Sequence, residues 1–328
     1  MYSHAPTRKP RNITADRTVH ALVRFVVVVI SILPAEFARW LGRSMGRLAW
    51  RIDARHRKQV LRHMDIAFRD KKTRAEKEDL CRKYFEHVGL TVVEVARLAQ
   101  LTPKNVSELC DLTELRQFDA LMAKKKGLLI VPAHHGNWEL CGYSVALMGY
   151  PLKSVARPLD NPQLNDFLME HRQRSGHIII EKWRVLWKLK KMLDKGDVIS
   201  MSVDQNGGVG GVFVPFFGSL ASTVISPADL HVIVGVPIII STMHRQPDGI
   251  HHILRVWDVI EAEPYTDSKE AARKVLTRIN AAVERSIWAY PEQWLWVHRR
   301  WKTRPPGELP TADGLPPLVQ PHIDLSKA

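Results

Sequence analysis

From residue 120 onward, short apolar runs alternate with amphipathic stretches of helical period, and this alternation constrains the fold more than any other feature. Apolar runs separated by helices predict an α/β fold, with a mainly parallel central sheet flanked by helices. The longest run, at 250–260, predicts an antiparallel edge strand. The apolar runs lie at 127–133, 152–156, 177–181, 198–203, 236–242 and 250–260, and the predicted helices lie at 138–148, 162–174, 183–195, 226–234 and 267–288.

The rest of the chain divides into three parts. Residues 1–53 are basic and apolar and predict a separate N-terminal membrane-associating segment. Residues 54–304 predict one α/β domain that begins with two helices over 54–99. Residues 305–328 are rich in proline and polar residues and predict a loosely packed tail.

The excess positive charge is concentrated in the first quarter of the chain. The protein has 48 Lys and Arg against 34 Asp and Glu, a net charge of +14. Residues 1–75 hold 17 of the basic and 5 of the acidic residues, a net +12, which leaves +2 for the remainder. A localised positive charge predicts a polyanionic partner. Nucleic acid is excluded as that partner, because the sequence carries no helix-turn-helix, zinc-finger or RNA-binding aromatic motif.

The N-terminal segment favours a membrane surface instead. The run ALVRFVVVVISIL at 21–33 is interrupted by Arg24 and ends at Pro34, so it is too short for a transmembrane helix. An amphipathic stretch with two tryptophans follows, and an arginine recurs at every fourth position. This pattern is typical of a helix that lies in the interface of an anionic bilayer. A buried helix with a solvated basic face is the alternative. The four arginines are Arg39, Arg43, Arg47 and Arg51.

The candidate catalytic residues follow the first predicted strand. The sequence AHHGNWEL places His134 where a strand gives way to a helix, and catalytic groups collect at such positions in open α/β sheets. Glu139 is five residues on, so a contact requires a turn at Gly136. In that geometry Glu139 would accept a hydrogen bond from the imidazole and leave the other nitrogen as a general base.

Three alternatives to a general base remain. A His/His/Glu metal site lacks the HExxH pattern and any Cys/His cluster. A nucleophilic enzyme lacks a G-x-S-x-G motif, and Cys141 falls inside a predicted helix. A structural histidine pair at the sheet edge is the third.

Several motifs in order resemble one known family. HHGNWE at 134–139 is similar to the H-x4-[DE] motif of the lysophospholipid acyltransferase superfamily, and more narrowly to its late lipid A biosynthesis acyltransferases. About 290 residues take part in the resemblance. It continues through VARPLDNP at 155–162, GDVISMSVDQ at 196–205, GVFVPFFG at 211–218 and PEQWLWVHRRWKTRP at 291–305.

The resemblance implies roles for further residues. It implies that His134 is the base and Glu139 its partner, with Arg172 and Asp204 as further polar residues of the site. Asp204 also ends a predicted strand, so we expect it at the same sheet edge as His134. Arg157 and Arg172 would supply cationic donors to a phosphate or an oxyanion. The residues expected to bind substrate are Arg157, Asn137, Gln205 and Phe216.

Three further segments lie near the predicted site, and two of them have open interpretations. The loop QNGGVGG at 205–211 lacks a P-loop signature and is expected to be a flexible substrate loop. Phe216 and its neighbours either line an acyl channel or pack in the core. The cluster at 294–302, with three tryptophans and three basic residues, is either a membrane anchor or the closing layer of the sheet.

The reaction implied by the resemblance is acyl transfer without a covalent intermediate, metal or redox cofactor. The donor would be a thioester of acyl carrier protein or coenzyme A, and the acceptor a glycolipid such as a lipid A precursor. A phosphatidylinositol mannoside, a lysophospholipid or an aminolipid is an alternative acceptor, and a non-catalytic scaffold is an alternative function. We expect the protein at the inner membrane, with its catalytic domain on the cytoplasmic face.

Overall fold

The alternation of strands and helices beyond residue 120 is confirmed. The computed structural model describes residues 12–182 and 185–320, so residues 183 and 184 of one predicted helix lie outside it. The strands are β1 (Cys110–Asp111), β2 (Leu128–Gly136), β3 (Leu152–Ala156), β4 (Ile178–Glu181), β5 (Val198–Ser200), β6 (Val212–Phe216), β7 (Ser219–Thr223), β8 (Ile238–Arg245) and β9 (His252–Ile260). The helices are α1 (Ile13–Ile32), α2 (Ala35–Ile52), α3 (Ala54–Phe68), α4 (Arg74–Arg97), α5 (Pro103–Leu109), α6 (Leu115–Met122), α7 (Trp138–Leu147), α8 (Pro162–Gln173), α9 (Leu186–Asp194), α10 (Ser226–Val234) and α11 (Ser268–Ala289).

The central sheet is mainly parallel, as predicted. Its strand order is β1-β9-β8-β2-β5-β3-β4. The five strands from β8 to β4 in this order run parallel to one another. β9 is antiparallel to β8, as expected, but it is not the edge strand, because the two-residue β1 pairs with its outer side. β6 and β7 form a separate antiparallel hairpin that the sequence pattern did not predict.

Side chains of β2 alternate between two apolar cores, one on each face of the sheet. Leu129, Val131 and Ala133 belong to the core formed with α3, α10 and α11. Leu128 and Ile130 belong to the core formed with α6 and α7. Because successive side chains of a strand point to opposite faces, His134 lies on the same face as Ile130.

The N-terminal helices pack on the α/β body. α2 crosses α4 so closely that a Cβ at Gly46 would lie 2.3 Å from the backbone oxygen of Phe85. Small residues at this crossing let the two backbones meet. Asp53 caps α3 by accepting a hydrogen bond from the backbone of His56. The division of the chain at residue 53 stays a prediction. Over the ranges that the structure describes, none of the helices is both long and apolar enough to span a bilayer.

The tail is held more firmly than expected, as far as residue 319. Arg62 and Arg69 donate hydrogen bonds to the carbonyls of Gly314 and Pro316. The backbone of Val319 donates to Gly218 at the tip of the β6–β7 hairpin. The bound groups are backbone carbonyls, which every residue carries, so the composition of the tail gave no indication of these contacts. Residues 321–328 lie outside the described part of the chain.

Candidate active site

His134 reaches the candidate site because β2 ends in a tight turn. Gly136 has a φ of +63°, and a Cβ there would lie 1.8 Å from the carbonyl oxygen of Met243. Only glycine fits this close approach at a positive φ. The chain then enters α7 at Trp138, whose ring packs edge-on against the His134 imidazole with a centroid distance of 5.3 Å. The turn therefore places His134 beside the N-terminus of α7.

The carboxylate that holds the His134 imidazole is Asp204. Nδ1 of His134 donates to Oδ1 of Asp204 at 2.8 Å, and the backbone N–H of His134 donates to Oδ2 at 2.8 Å. Trp294 adds a third donor, Nε1, at 3.0 Å from Oδ2. Asp204 is only 2% exposed. These contacts fix the imidazole in the orientation with a proton on Nδ1.

Charge and burial act in opposite directions on this pair. Burial lowers the pKa of His134, but the Asp204 carboxylate outweighs that effect and the net pKa lies above its ordinary value. Burial alone would raise the pKa of Asp204, yet His134 and Trp294 hold it at about 2. Asp204 is therefore ionised at neutral pH and stabilises the imidazolium form of His134.

The second imidazole nitrogen faces the cavity described below. Nε2 of His134 lies 3.4 Å from the Gln205 side-chain amide, which is oriented to donate to it. The His134 side chain is 24% exposed, in contrast to Asp204 behind it. A ring that donates from Nδ1 and accepts at Nε2 is neutral and has a lone pair available for a proton.

The predicted contact between Glu139 and the imidazole is wrong. Glu139 instead forms a two-point ion pair with Arg172 of α8, in which Nε donates to Oε2 at 2.9 Å and Nη2 to Oε1 at 2.5 Å. Glu139 stands in the first turn of α7, so its side chain leaves the helix toward α8. Burial raises the pKa of Glu139, but Arg172 more than compensates and lowers it overall. Asp204 takes the place predicted for Glu139.

Two of the expected substrate-binding residues lie elsewhere. Asn137 is 0% exposed and caps α7: its Oδ1 accepts from the backbone of Leu140, and its Nδ2 donates to Glu94. Phe216 is also 0% exposed and packs among aromatic rings on the opposite face of the sheet. Asparagine is a preferred N-cap residue, so its position directly before a helix was the available signal. For Phe216, the core-packing alternative is the one observed.

Arg157 and Gln205 are placed as a binding role requires. Both line the cavity that opens at His134. The side chain of Arg157 is 55% exposed at the mouth and pairs at 3.0 Å with Asp160, which is 86% exposed. Arg157 thus lies within reach of a ligand that enters the cavity, and its role stays a prediction.

The cluster at 294–302 closes the sheet and supports the site from behind. Trp294, Trp296 and Trp301 are buried, so the anchor alternative is wrong. Arg300 is buried as well and donates to the carbonyls of Gln205 and Ser222. His298 accepts from the backbone of Asn206 at 2.9 Å, and burial lowers its pKa to about 4.

These contacts were missed at the level of sequence, although the cluster itself was noticed. The loop after Asp204, expected to be flexible, is held at Gln205 and Asn206 by residues nearly 100 positions away. The pattern WVHRRW contains the relevant side chains, but nothing in its spacing indicates which loop they bind.

A cavity of about 820 Å³ extends from His134 into the sheet face that carries α7. Pockets of this size are typical of small-molecule sites. Charged side chains lie toward the end near His134, and the inner part is mainly apolar but also contains Ser154 with the His177 imidazole bonded to it. The polar set includes Glu139, Arg157, Arg172, His177, Lys182 and Gln205, and the apolar set includes Phe118, Ile130, Val145, Leu152, Leu168 and Ile179.

The arrangement is suited to moving a proton at the mouth of an apolar cavity. A neutral imidazole with an ionised aspartate behind it is a general-base pair. The N-terminus of α7 offers positive electrostatic potential to an anion that forms beside it, and the Arg172 guanidinium, paired with Glu139, lies in the same cavity wall.

Comparisons with known proteins agree with the motifs. Residues 6–303 match the bacterial lipid A biosynthesis acyltransferase family. Three relatives come from Escherichia coli K12. The chain is 29% identical over 277 residues to a lipid A biosynthesis lauroyltransferase, which covers 84% of this chain and 88% of the relative. It is 27% identical to a palmitoleoyltransferase, with 84% and 88% covered, and 21% identical to a myristoyltransferase, with 85% of each covered. The chain therefore belongs to the bacterial lipid A biosynthesis acyltransferase family and is an acyltransferase.

Proposed function

We propose that this protein transfers a fatty acyl group from a thioester to a hydroxyl of a lipid A precursor, with His134 as the general base. One observation carries the assignment of the base. The imidazole of His134 is held from behind by Asp204, and its second nitrogen faces a cavity that is charged at the mouth and mainly apolar inside. An acyl acceptor and an acyl chain need those two environments side by side.

The bond changes follow from this placement. Nε2 of His134 removes the proton of the acceptor hydroxyl while the oxygen attacks the thioester carbon. The tetrahedral intermediate then collapses as the C–S bond breaks and the ester C–O bond remains. The imidazolium returns its proton to the departing thiolate, so the products are an ester and a free thiol. Asp204 stabilises the imidazolium between the two proton transfers.

Positive groups beside His134 would stabilise the oxyanion of the intermediate. Arg172 is held by Glu139 in a fixed orientation at the cavity wall. The first backbone N–H groups of α7 lie next to His134, and a helix N-terminus favours negative charge. Arg157, at the mouth, is suited to a phosphate of the acceptor.

The donor is a thioester of acyl carrier protein or coenzyme A. The family resemblance favours the carrier protein, which is acidic and suits a basic surface. The three relatives are named for three different acyl groups, so family membership leaves the length of the chain open.

The N-terminal helices are proposed to lie on an anionic membrane. α1 exposes Leu22, Phe25 and Val28, and α2 exposes Trp40 and Leu48, each at more than half of its full accessibility. The arginines of α2 are interleaved with these side chains. An exposed apolar surface with adjacent arginines is typical of interfacial helices. In this arrangement the acyltransferase would act beside lipid substrates at the inner membrane.

Binding to vesicles tests the membrane proposal. We expect the protein to sediment with vesicles rich in anionic phospholipid, and we expect added NaCl to release it because salt screens the arginines. Turnover on detergent-dispersed substrate should fall less over the same salt range. An equal loss of binding and turnover would contradict this separate role for the helices.

Transfer of a labelled acyl group tests the reaction. Purified protein is incubated with acyl carrier protein thioester and a lipid A precursor, and the lipid product is identified by mass spectrometry. His134→Ala should lose about 10³-fold or more of the transfer rate, because general-base catalysis contributes about 10²–10⁴-fold. His135→Ala is not a suitable control, since His135 is buried and bonded to Ser286.

Arg174→Ala is a better matched control. Its side chain is half exposed at the C-cap of α8 and pairs with Glu170 rather than with a residue of the site. We expect this variant to retain activity. Full transfer by His134→Ala would overturn the assignment of the base, and absence of transfer with every thioester and acceptor would favour a scaffold function.

A further inference from the structure

One part of the cavity runs inward from His134 between β2 and α7, while other walls come from β3, β5, α8 and residues 185–187. On the strand side, Ile130, Pro132 and His134 of β2 line it in a row. The step of four residues from Ile130 to His134 spans about 13 Å along the strand. On the helix side, the lining residues of α7 recur at helical spacing. These lining residues are Trp138, Cys141, Gly142 and Val145. The step of seven residues from Trp138 to Val145 spans about 10 Å along the helix axis.

The register of the sheet shows where this cavity ends. Ile130 pairs with Ser200 of β5, and Ser200 pairs with Ser154 of β3. All three line the cavity, and the two serines are small; the His177 imidazole lies beside Ser154, with its Nε2 2.7 Å from the serine Oγ, and leaves the space next to Ser200 and Ile130.

The next row of the sheet, farther from His134, is filled. Leu128 pairs with Val198, and Val198 pairs with Leu152. These side chains are all buried, and of the three only Leu152 contacts the cavity. Phe118 of α6 completes this end: it is buried and packs edge-on against Tyr150 with a centroid distance of 6.2 Å. Phe118 and Leu152 therefore form the floor.

We propose that this floor sets the length of the acyl chain that the enzyme transfers, and that the chain has about ten to twelve carbons. The inference rests on the proposed function, because the chain is placed with its carbonyl at His134. An extended alkyl chain advances about 1.3 Å per carbon, given C–C bonds of about 1.5 Å at near-tetrahedral angles. The walls of about 10 to 13 Å thus hold about eight to ten carbons. The gap between the row of Ser154 and the row of Leu152, two residues farther along the strands, adds about two more.

Burial of methylenes explains why such a floor discriminates. Each methylene that enters the cavity strengthens binding by about fourfold, until the chain reaches the floor. A longer chain must displace Phe118 or Leu152 from a packed core or leave its end in water, so its binding improves no further or weakens.

Binding of a series of acyl probes tests the inference without any acceptor. Coenzyme A thioesters with saturated chains of 8, 10, 12, 14 and 16 carbons are titrated into the protein below their micelle concentrations. We expect affinity to rise to a maximum at ten to twelve carbons. A steady rise through sixteen carbons would overturn the proposal.

Substitutions at the floor and at the wall should move the maximum in opposite directions. Phe118→Ala opens the floor and should shift the maximum to chains two to four carbons longer. Ser200→Leu fills the cavity beside Ile130 and should shift it to chains two to four carbons shorter. Leu121→Ala is the matched control on α6, because Leu121 is buried in the same core but lies outside the cavity wall. An unchanged maximum in both Phe118→Ala and Ser200→Leu would overturn the assignment of the floor.

Transfer assays separate this inference from the proposed function. A maximum at ten to twelve carbons in binding, with no transfer to any acceptor, would contradict the function and support the floor. Transfer of sixteen-carbon chains as fast as twelve-carbon chains would support the function and contradict the floor. If Phe118→Ala fails to fold, the wild-type profile and the Ser200→Leu profile decide the question.

Discussion

The two faces of the central sheet have opposite kinds of packing. On one face, Phe68, Phe216, Phe217 and Trp301 interlock with ring centroids 5.0 to 6.5 Å apart. On the other face, the core around α6 and α7 contains the cavity of about 820 Å³. We call the first of these the solid face and the second the cavity face. The two faces share β2, and His134 lies near the end of that strand.

The difference shows how a rigid base and an open binding site coexist in one small domain. Asp204 is bonded to Trp294, which belongs to the aromatic cluster of the solid face. The charge that orients His134 is therefore fixed by packed rings. The cavity face accommodates a ligand because its strands carry serines where the other face carries large apolar side chains. A side chain that orients the base needs rigid packing around it, whereas a binding wall needs empty volume.

The largest effect on the rate of transfer is expected from substitution of Asp204, which connects the solid face to His134. Asp204→Asn keeps the shape of the side chain but removes its charge, so the imidazolium loses its stabilising partner and the amide can impose the wrong tautomer on His134. We expect kcat to fall by about 10³–10⁴-fold, as in other enzymes whose histidine depends on an aspartate. The measurement is steady-state transfer from a labelled acyl thioester.

Glu139→Gln is the informative companion to that variant. Its carboxylate pairs with Arg172 and lies outside hydrogen-bond contact with the imidazole, so the loss should be smaller than that of Asp204→Asn. A greater loss of kcat in Glu139→Gln than in Asp204→Asn would restore Glu139 as the partner of His134 and contradict the geometry described above.

The next effect concerns stability and compares the two faces directly. Phe216→Ala removes a ring that is fully buried, with the Arg300 guanidinium 5.0 Å above it. We expect it to lower the free energy of unfolding by about 3–5 kcal/mol. Val145→Ala removes two methyl groups that face the existing cavity, where few contacts are lost, and should cost about 1 kcal/mol.

Denaturant unfolding followed by tryptophan fluorescence and circular dichroism measures both values. Equal losses in the two variants would mean that the cavity face is as tightly packed as the aromatic face. A melting temperature of Val145→Ala that rises on addition of an acyl probe would show that the cavity is filled by ligand.

The sequence predicted the sheet well because its information is local. Apolar runs and helical periods place β3 and α10 at their observed bounds, and a strand that ends in Asp204 was expected beside one that ends in His134. Contacts between distant segments were not predictable in the same way. Arg172 reaches Glu139 from another helix, and the distant partners of Phe216 come from residues 294–301. The spacing of five residues predicted Glu139 as the partner of His134. In the structure, the Glu139 side chain leaves the start of α7 toward α8 and pairs with Arg172 instead.

The smallest effect is a shift in the pH dependence of transfer. His134 acts as a base only when its imidazole is neutral, so kcat/KM should fall as pH drops through the pKa of His134. Asp204 raises that pKa above its ordinary value, whereas burial lowers it. In Asp204→Asn burial remains and the charge is gone, so the pKa falls and the acid limb of the profile moves to lower pH. Single-turnover rates between pH 5 and 8 are the measurement (about the range in which histidine titrates).

Val145→Ala is the control for this shift, because it alters the cavity face without changing any charge near His134. Its acid limb should coincide with that of the wild type even where its rate differs. A limb that stays in place in Asp204→Asn, or that moves to higher pH, would assign the titration to a group other than His134. In that case the solid face would fix the orientation of the His134 imidazole without changing its pKa. The difference between the two faces would then lie only in how their side chains pack.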